Sequence, residues 1–236
     1  MNYKLFVFRH AETFDNSRGI FSGWRDSTLT SKGIRQAKAI AEQLKRCKID
    51  YAFTSHLKRA KQTLEIVLKD HKSIPIFTDD RLIERCYGQW QGRKKKEVED
   101  EDPNSFEKCH RGYSLAPPHG ESLEMVEKRV LPFLNELTEW LRQNPGNAAI
   151  SCHSNSIRPL RKRFENLSLT QMCKLESPQD KALIYSVDLG TIEMPRQKPP
   201  PSQPRWNEVL ISKAIRLATD NRNSLKIYYC QDAIMA

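Results

Sequence analysis

The sequence predicts an α/β fold, a three-layer α/β/α sandwich around a mostly parallel central sheet. Two observations carry that prediction. Short apolar runs alternate with longer stretches of helical periodicity, the pattern of strands connected by crossover helices. Two of those runs also end on a histidine followed by a polar loop, which is where open α/β sheets place their ligands. At 236 residues and 38% hydrophobic content the chain is long and apolar enough to fill one large core.

Residues 3–8 are apolar and aromatic and read as a buried first strand. A polar stretch over 11–30 follows. Thr30 or Ser31 is positioned to cap a helix over 32–46 whose Ile34, Ala37, Ile40, Ala41 and Leu44 share one face. A short strand at 50–54 precedes a helix at 57–70, and Pro75-Ile76-Phe77 indicates a further strand. The polar, charged segment 80–120 reads as an insertion of loops and short helices rather than core, forming a cap over the carboxyl edge of the sheet. A long amphipathic helix is expected over 121–142, interrupted or kinked near Pro132. Residues 147–152 form a strand and 155–164 a helix with Pro159 in its first turn; 183–189 make the last strand. One domain is thus expected over 1–190. A Pro-rich linker over 191–204 and a C-terminal extension over 205–236 follow, the latter with helical periodicity at 206–219 and a strand-like run at 225–230.

The net charge of +10 suits either a polyanionic partner or a small, highly charged anion. The run Lys94 to Asp102 mixes both signs and reads as a solvated helix face, with no aromatic–basic interleaving of the kind that stacks bases, so no nucleic-acid partner is expected. The longest clean apolar run, Leu5-Phe6-Val7-Phe8, is far short of a membrane span. The amino terminus lacks the pattern of a signal peptide. Six cysteines are scattered without a CxxC pair, which argues against a zinc or redox motif and for reduced thiols in a cytoplasmic protein.

The chemistry concentrates in four segments. Arg9-His10-Ala11-Glu12 closes the first strand, and Ser151-Cys152-His153-Ser154-Asn155 joins a strand to a helix amino terminus that favours an anion. Arg59 lies in the first turn of a helix after a strand, and Glu84 opens a loop that runs through Tyr87 to Gly92. Two histidines, several arginines and a carboxylate suit phosphoryl transfer without a metal. A neutral imidazole is the nucleophile, guanidinium groups neutralise phosphate oxygens, and the carboxyl group moves the proton.

Taken in order, these segments resemble the histidine phosphatase superfamily, and within it the 2,3-bisphosphoglycerate-dependent phosphoglycerate mutases. The resemblance runs over about 3–190 and includes Phe21-Ser22-Gly23-Trp24, Ser55 through Thr63, Glu84 through Gly92, Arg111-Gly112-Tyr113, Gly120-Glu121-Ser122-Leu123 and His153 through Arg158. It implies that His10, flanked by Arg9, is the phosphohistidine nucleophile. Arg59 and His153 would complete the phosphate pocket, with Glu84 as proton donor and acceptor. Asn16, Ser22, Gly23, Arg85, Tyr87, Lys95, His110, Arg111, Ser154 and Asn155 would bind substrate. It further implies 2,3-bisphosphoglycerate as phosphoryl primer, no metal, a small phosphorylated substrate as partner, and compatibility with a homodimer. The chain departs from the family pattern at Ala11 and Ser154, where glycine is usual, at His110, where the mutases carry arginine, and at Cys86, where they commonly carry histidine.

Overall fold

The computed structural model describes residues 2–110 and 112–188. The first strand, β1 (Asn2–Arg9), lies inside a five-stranded sheet. A short helix α1 (Phe14–Ser17) and then α2 (Ser31–Leu44) follow; Thr30 caps α2 by accepting from the Gly33 amide. The chain continues through β2 (Tyr51–Thr54), α3 (Lys58–Val67) and β3 (Ile76–Thr78), then α4 (Lys95–Glu101) and α5 (Pro103–His110). The long helix α6 (Leu123–Gln143) leads into β4 (Ala148–Cys152), α7 (Ser154–Glu165), α8 (Leu169–Lys174) and β5 (Leu183–Asp188).

The strand order is β3-β2-β4-β1-β5, parallel except for β5, which runs antiparallel to β1 at the edge. Side chains alternate across the sheet and sort the helices into two layers. Leu5, Val7, Phe53 and Ile150 pack with α6 and α7 on one face; Phe6, Phe8, Ala52 and Ala149 pack with α2 and α3 on the other. The mostly parallel three-layer arrangement is therefore the one expected from the alternating pattern.

Three local expectations are corrected. The segment 80–120 is not all insertion: Leu82 through Tyr87 are buried, and Phe21, Tyr87, Trp90, Val98 and Cys109 form a third apolar cluster. Its polar composition concealed that Glu84 and Arg85 are buried among protein hydrogen-bond partners. Of the interruption or kink expected near Pro132, the interruption is absent: α6 runs unbroken from Leu123 to Gln143 while Val130, Phe133 and Leu134 hold it to the core. Proline forfeits a single ladder bond, and burial on both sides outweighs that loss. Pro159 lies in the second turn of α7, not the first, because the helix already begins at Ser154. The segments expected over 191–236 lie outside the described residues. No helix among the described residues is long and apolar enough to cross a membrane, and the five described cysteines form no disulfide with one another.

Candidate active site

Parallel pairing of β1 with β4 sets Arg9 opposite Cys152, so both strands end at the same level. The His10 amide then donates to the Cys152 carbonyl at 2.9 Å, and the two histidine rings sit with centroids 5.2 Å apart. Both rings are buried, His10 at 2% exposure and His153 at 0%.

Their hydrogen bonds differ. His10 Nδ1 faces the Ala11 carbonyl at 2.8 Å, while Arg59 Nε donates toward His10 Nε2 at 3.3 Å. A carbonyl can only accept and a guanidinium can only donate, so Nδ1 carries the proton and Nε2 keeps its lone pair. Arg59 is aimed by two backbone carbonyls, Nη1 to Arg25 and Nη2 to Gly23, each at 2.7 Å. Gly23 has a positive φ of 55°, and a Cβ there would lie 2.1 Å from Gln91 Oε1, so the carbonyl that orients Arg59 depends on glycine. Burial, and then the charges of Arg59 and Arg9, hold His10 well below the usual imidazole pKa of 6.5. His153 is lowered by burial and by Arg59 as well. Its Nε2 lies 2.7 Å from Ser55 Oγ, which leaves Nδ1 buried without a protein partner.

Glu84 is held at the amino end of α7. Its Oε1 accepts from the Asn155 backbone amide at 3.3 Å, from Asn155 Nδ2 at 3.0 Å and from the Arg85 amide at 2.7 Å. Trp24 Nε1 and Arg129 Nη2 donate to the Glu84 carbonyl, fixing the backbone behind it. His10, His153 and Glu84 bring ligand-capable atoms within 4.8 Å of one another. Such a trio has the donor types for a divalent cation. Here, however, Arg59 Nε approaches His10 Nε2 at only 3.3 Å and the charges of Arg59 and Arg9 both act on the ring, so the local field suits an anion. Arg9 Nε, Ser22 Oγ and His153 Nδ1 are buried without protein partners. Three orphaned polar atoms around one histidine are a match for phosphate oxygens.

A cavity of about 210 Å³ opens above this centre. Arg9, His10, Asn16, Ser22, Gly23 and Arg59 line it from one side, and Glu84, Tyr87, Lys95, His110, Ser154 and Asn155 from the other. Twelve of the residues expected from the sequence thus converge on it. His153 lies beneath, against His10. Arg85 is fully buried and does not line the cavity: its Nε donates to the Glu121 carbonyl and its Nη2 to the Cys109 and Leu115 carbonyls, while Nη1 is buried without a protein partner. Asn155, expected on phosphate, is largely engaged with Glu84. Arg111 lies outside the described residues. The sequence reading gave no site role to Phe21, Arg158 or Glu176, which also line the cavity. Phe21 and Arg158 stood at the ends of quoted motifs and were within reach of a residue-by-residue reading. Glu176 carried no such signal. Cys152, expected in the core, is fully buried there, and burial pushes its thiol far up.

The chain is 34% identical to a protein of Chlamydia trachomatis serovar L2b named 2,3-bisphosphoglycerate-dependent phosphoglycerate mutase, over 77% of this chain and 92% of that one. Among solved structures it is similar to Bacillus stearothermophilus YhfR, with a TM-score of 0.71 and 29% identity over 80% of this chain and 93% of that one. It is also similar to a putative alpha-ribazole-5'-P phosphatase from Escherichia coli, with a TM-score of 0.66 and 25% identity over 81% and 98% of the two chains. Residues 5–193 match the histidine phosphatase superfamily (branch 1), and the chain belongs to that superfamily.

Proposed function

We propose that this enzyme is a 2,3-bisphosphoglycerate-dependent phosphoglycerate mutase, interconverting 3-phosphoglycerate and 2-phosphoglycerate. The observation that carries this reading is the charge layout of the cavity. Arg9 and Arg59 surround His10 at one end, and Lys95 and His110 line the wall formed by Phe21, at 5.7 Å and 5.5 Å from its ring centre. Two separated cationic groups suit a substrate with two anionic groups. The name of the Chlamydia relative supports the same choice.

In this reading 2,3-bisphosphoglycerate, when bound, supplies the phosphoryl group that charges the enzyme. Arg9, Ser22 and His153 offer it their orphaned polar atoms. His10 Nε2, unprotonated and facing the cavity, forms the N–P bond as the P–O bond to the donor oxygen breaks. Glu84 gives that oxygen a proton and takes one back from the attacking hydroxyl in the return transfer. Arg59 and His153 neutralise charge on the phosphoryl oxygens during both transfers. Tyr87, Lys95 and His110 hold the remainder of the substrate, and the mutase reaction requires that the bound substrate keep water from the phosphohistidine. The same centre hydrolyses a phosphate monoester if water reaches it, and the likeness to the Escherichia coli phosphatase favours that second reading.

The test is one assay with two products. Purified protein receives 3-phosphoglycerate with and without trace 2,3-bisphosphoglycerate, and 2-phosphoglycerate and free phosphate are followed together. Isomer formation that depends on the bisphosphate, with little free phosphate, is the expected result. Free phosphate without isomer overturns it in favour of the phosphatase.

A further inference from the structure

The segment between α8 and β5 runs as a strap beside the site. Three consecutive carbonyls on it take arginine donors: Leu175 from Arg158 Nε and Nη2 at 3.2 and 3.0 Å, Glu176 from Arg161 Nη1 at 3.0 Å, and Ser177 from Arg9 Nη1 at 3.4 Å. Gln179 Nε2 reaches back to the His10 carbonyl at 3.2 Å and to Asn16 Oδ1 at 3.1 Å. The strap is therefore registered on the same residues that surround the nucleophile. Its Glu176 side chain is exposed at the cavity mouth and lines the cavity with Arg9 and Arg158.

We propose that Glu176 is a specificity-determining residue that weakens binding of a second anionic group at the histidine end of the cavity. Arg9, Arg59 and Arg158 by themselves would make that end an indiscriminate trap for polyanions. A carboxylate lining the same cavity as Arg9 and Arg158, on a backbone held by Arg161, offsets part of their charge. Burial lowers the Arg9 guanidinium pKa, and the carboxylates of Glu84 and then Glu176 oppose that shift. A substrate with one phosphoryl group at His10 then keeps its second anionic group toward Lys95 and His110. A ligand that crowds both anions against the strap is repelled. This inference deepens the mutase reading in its choice of probe ligand, but the charge effect itself concerns any phosphate ester bound at His10.

The experiment compares wild type with Glu176→Gln, and with Glu176→Lys as a second variant, by direct titration calorimetry with inorganic phosphate and with 2,3-bisphosphoglycerate. Binding rather than turnover is read, so failure of the mutase reading leaves the measurement intact. Glu176→Gln should tighten inorganic phosphate about threefold and 2,3-bisphosphoglycerate about tenfold, because repulsion grows with ligand charge and is screened at an exposed site. Glu176→Lys should tighten both further, and raising the salt to about 0.5 M should shrink the differences. Equal affinities in wild type and both variants overturn the proposal. Equal tightening for the two ligands also overturns it, because the carboxylate would then not discriminate by charge. Matching circular dichroism and melting temperatures exclude a folding defect as the source of any change.

Discussion

The loops after β1 and β4 begin from the same sequence plan, a strand ending on a histidine and a polar turn, yet they build different chemical groups. His10 is pinned through Nδ1 by its own neighbour's carbonyl and presents Nε2 toward Arg59. His153 is pinned through Nε2 by Ser55, a residue 98 positions away, and presents Nδ1. One imidazole turns Nε2 toward a guanidinium and the other leaves a buried Nδ1 without a protein partner, the arrangement that the proposed nucleophile and its phosphate-binding partner need. The difference teaches that the role of a histidine at a strand end is assigned by which nitrogen its surroundings consume.

That contrast can be broken most sharply at the histidines themselves. His10→Ala should abolish covalent labelling by a phosphoryl donor and lower turnover by about 10⁴-fold or more, since His10 is the imidazole set between Arg9 and Arg59. His153→Ala should retain slow labelling and lower turnover by about 10²- to 10³-fold, as expected for losing one charge-stabilising donor. Rapid-quench labelling separates the two, and loss of labelling in both variants would erase the distinction.

A milder perturbation addresses the pin on His153. Ser55→Ala removes the bond to Nε2 and should lower kcat about tenfold with little change in KM, because the ring keeps its place but loses its fixed orientation. Labelling of His10 should survive. An unchanged kcat would mean that packing alone orients the ring.

The smallest expected effect is on stability. Both histidines are buried with folded-state pKa values below the ordinary 6.5. Below that value the unfolded chain binds protons that the folded chain does not, so their contribution to stability is complete above pH 6.5 and is lost as the pH falls from there through the folded-state pKa. Denaturant midpoints measured from pH 7 down to roughly pH 5 should fall more steeply for wild type than for His10→Asn or His153→Asn. Parallel slopes would show that burial does not keep these rings neutral.

Much of the fold was legible because it is written in local patterns. The alternation of Leu5, Val7 with Phe6, Phe8 declares a strand buried on both faces, and the spacing of Ala37, Ile40 and Leu44 declares a helix with one apolar side. The reactive set was legible because its members stand beside strand ends and helix starts. The stretch 82–87 was harder to read: Arg85 and Glu84 look like surface residues until the Glu121, Cys109 and Leu115 carbonyls and Asn155 are seen to receive them. The strap at 175–179 was missed because nothing in Leu175-Glu176-Ser177-Pro178-Gln179 has a periodicity or motif of its own. Its place depends on Arg9, Arg158 and Arg161 converging from two other elements.

The amino-acid sequence by itself determined the sandwich class and the order of its main strands and helices, and it brought the histidines, Arg59 and Glu84 forward as candidates, because periodicity and turn chemistry act over a few residues. Only the tertiary structure decided that β1 and β4 are neighbours, which nitrogen each histidine offers, that Arg85 is buried and does not line the cavity, and that Glu176 faces the cavity. Those outcomes depend on hydrogen bonds and charges between residues tens to more than a hundred positions apart, and a contact of that kind exists only once the chain has closed on itself.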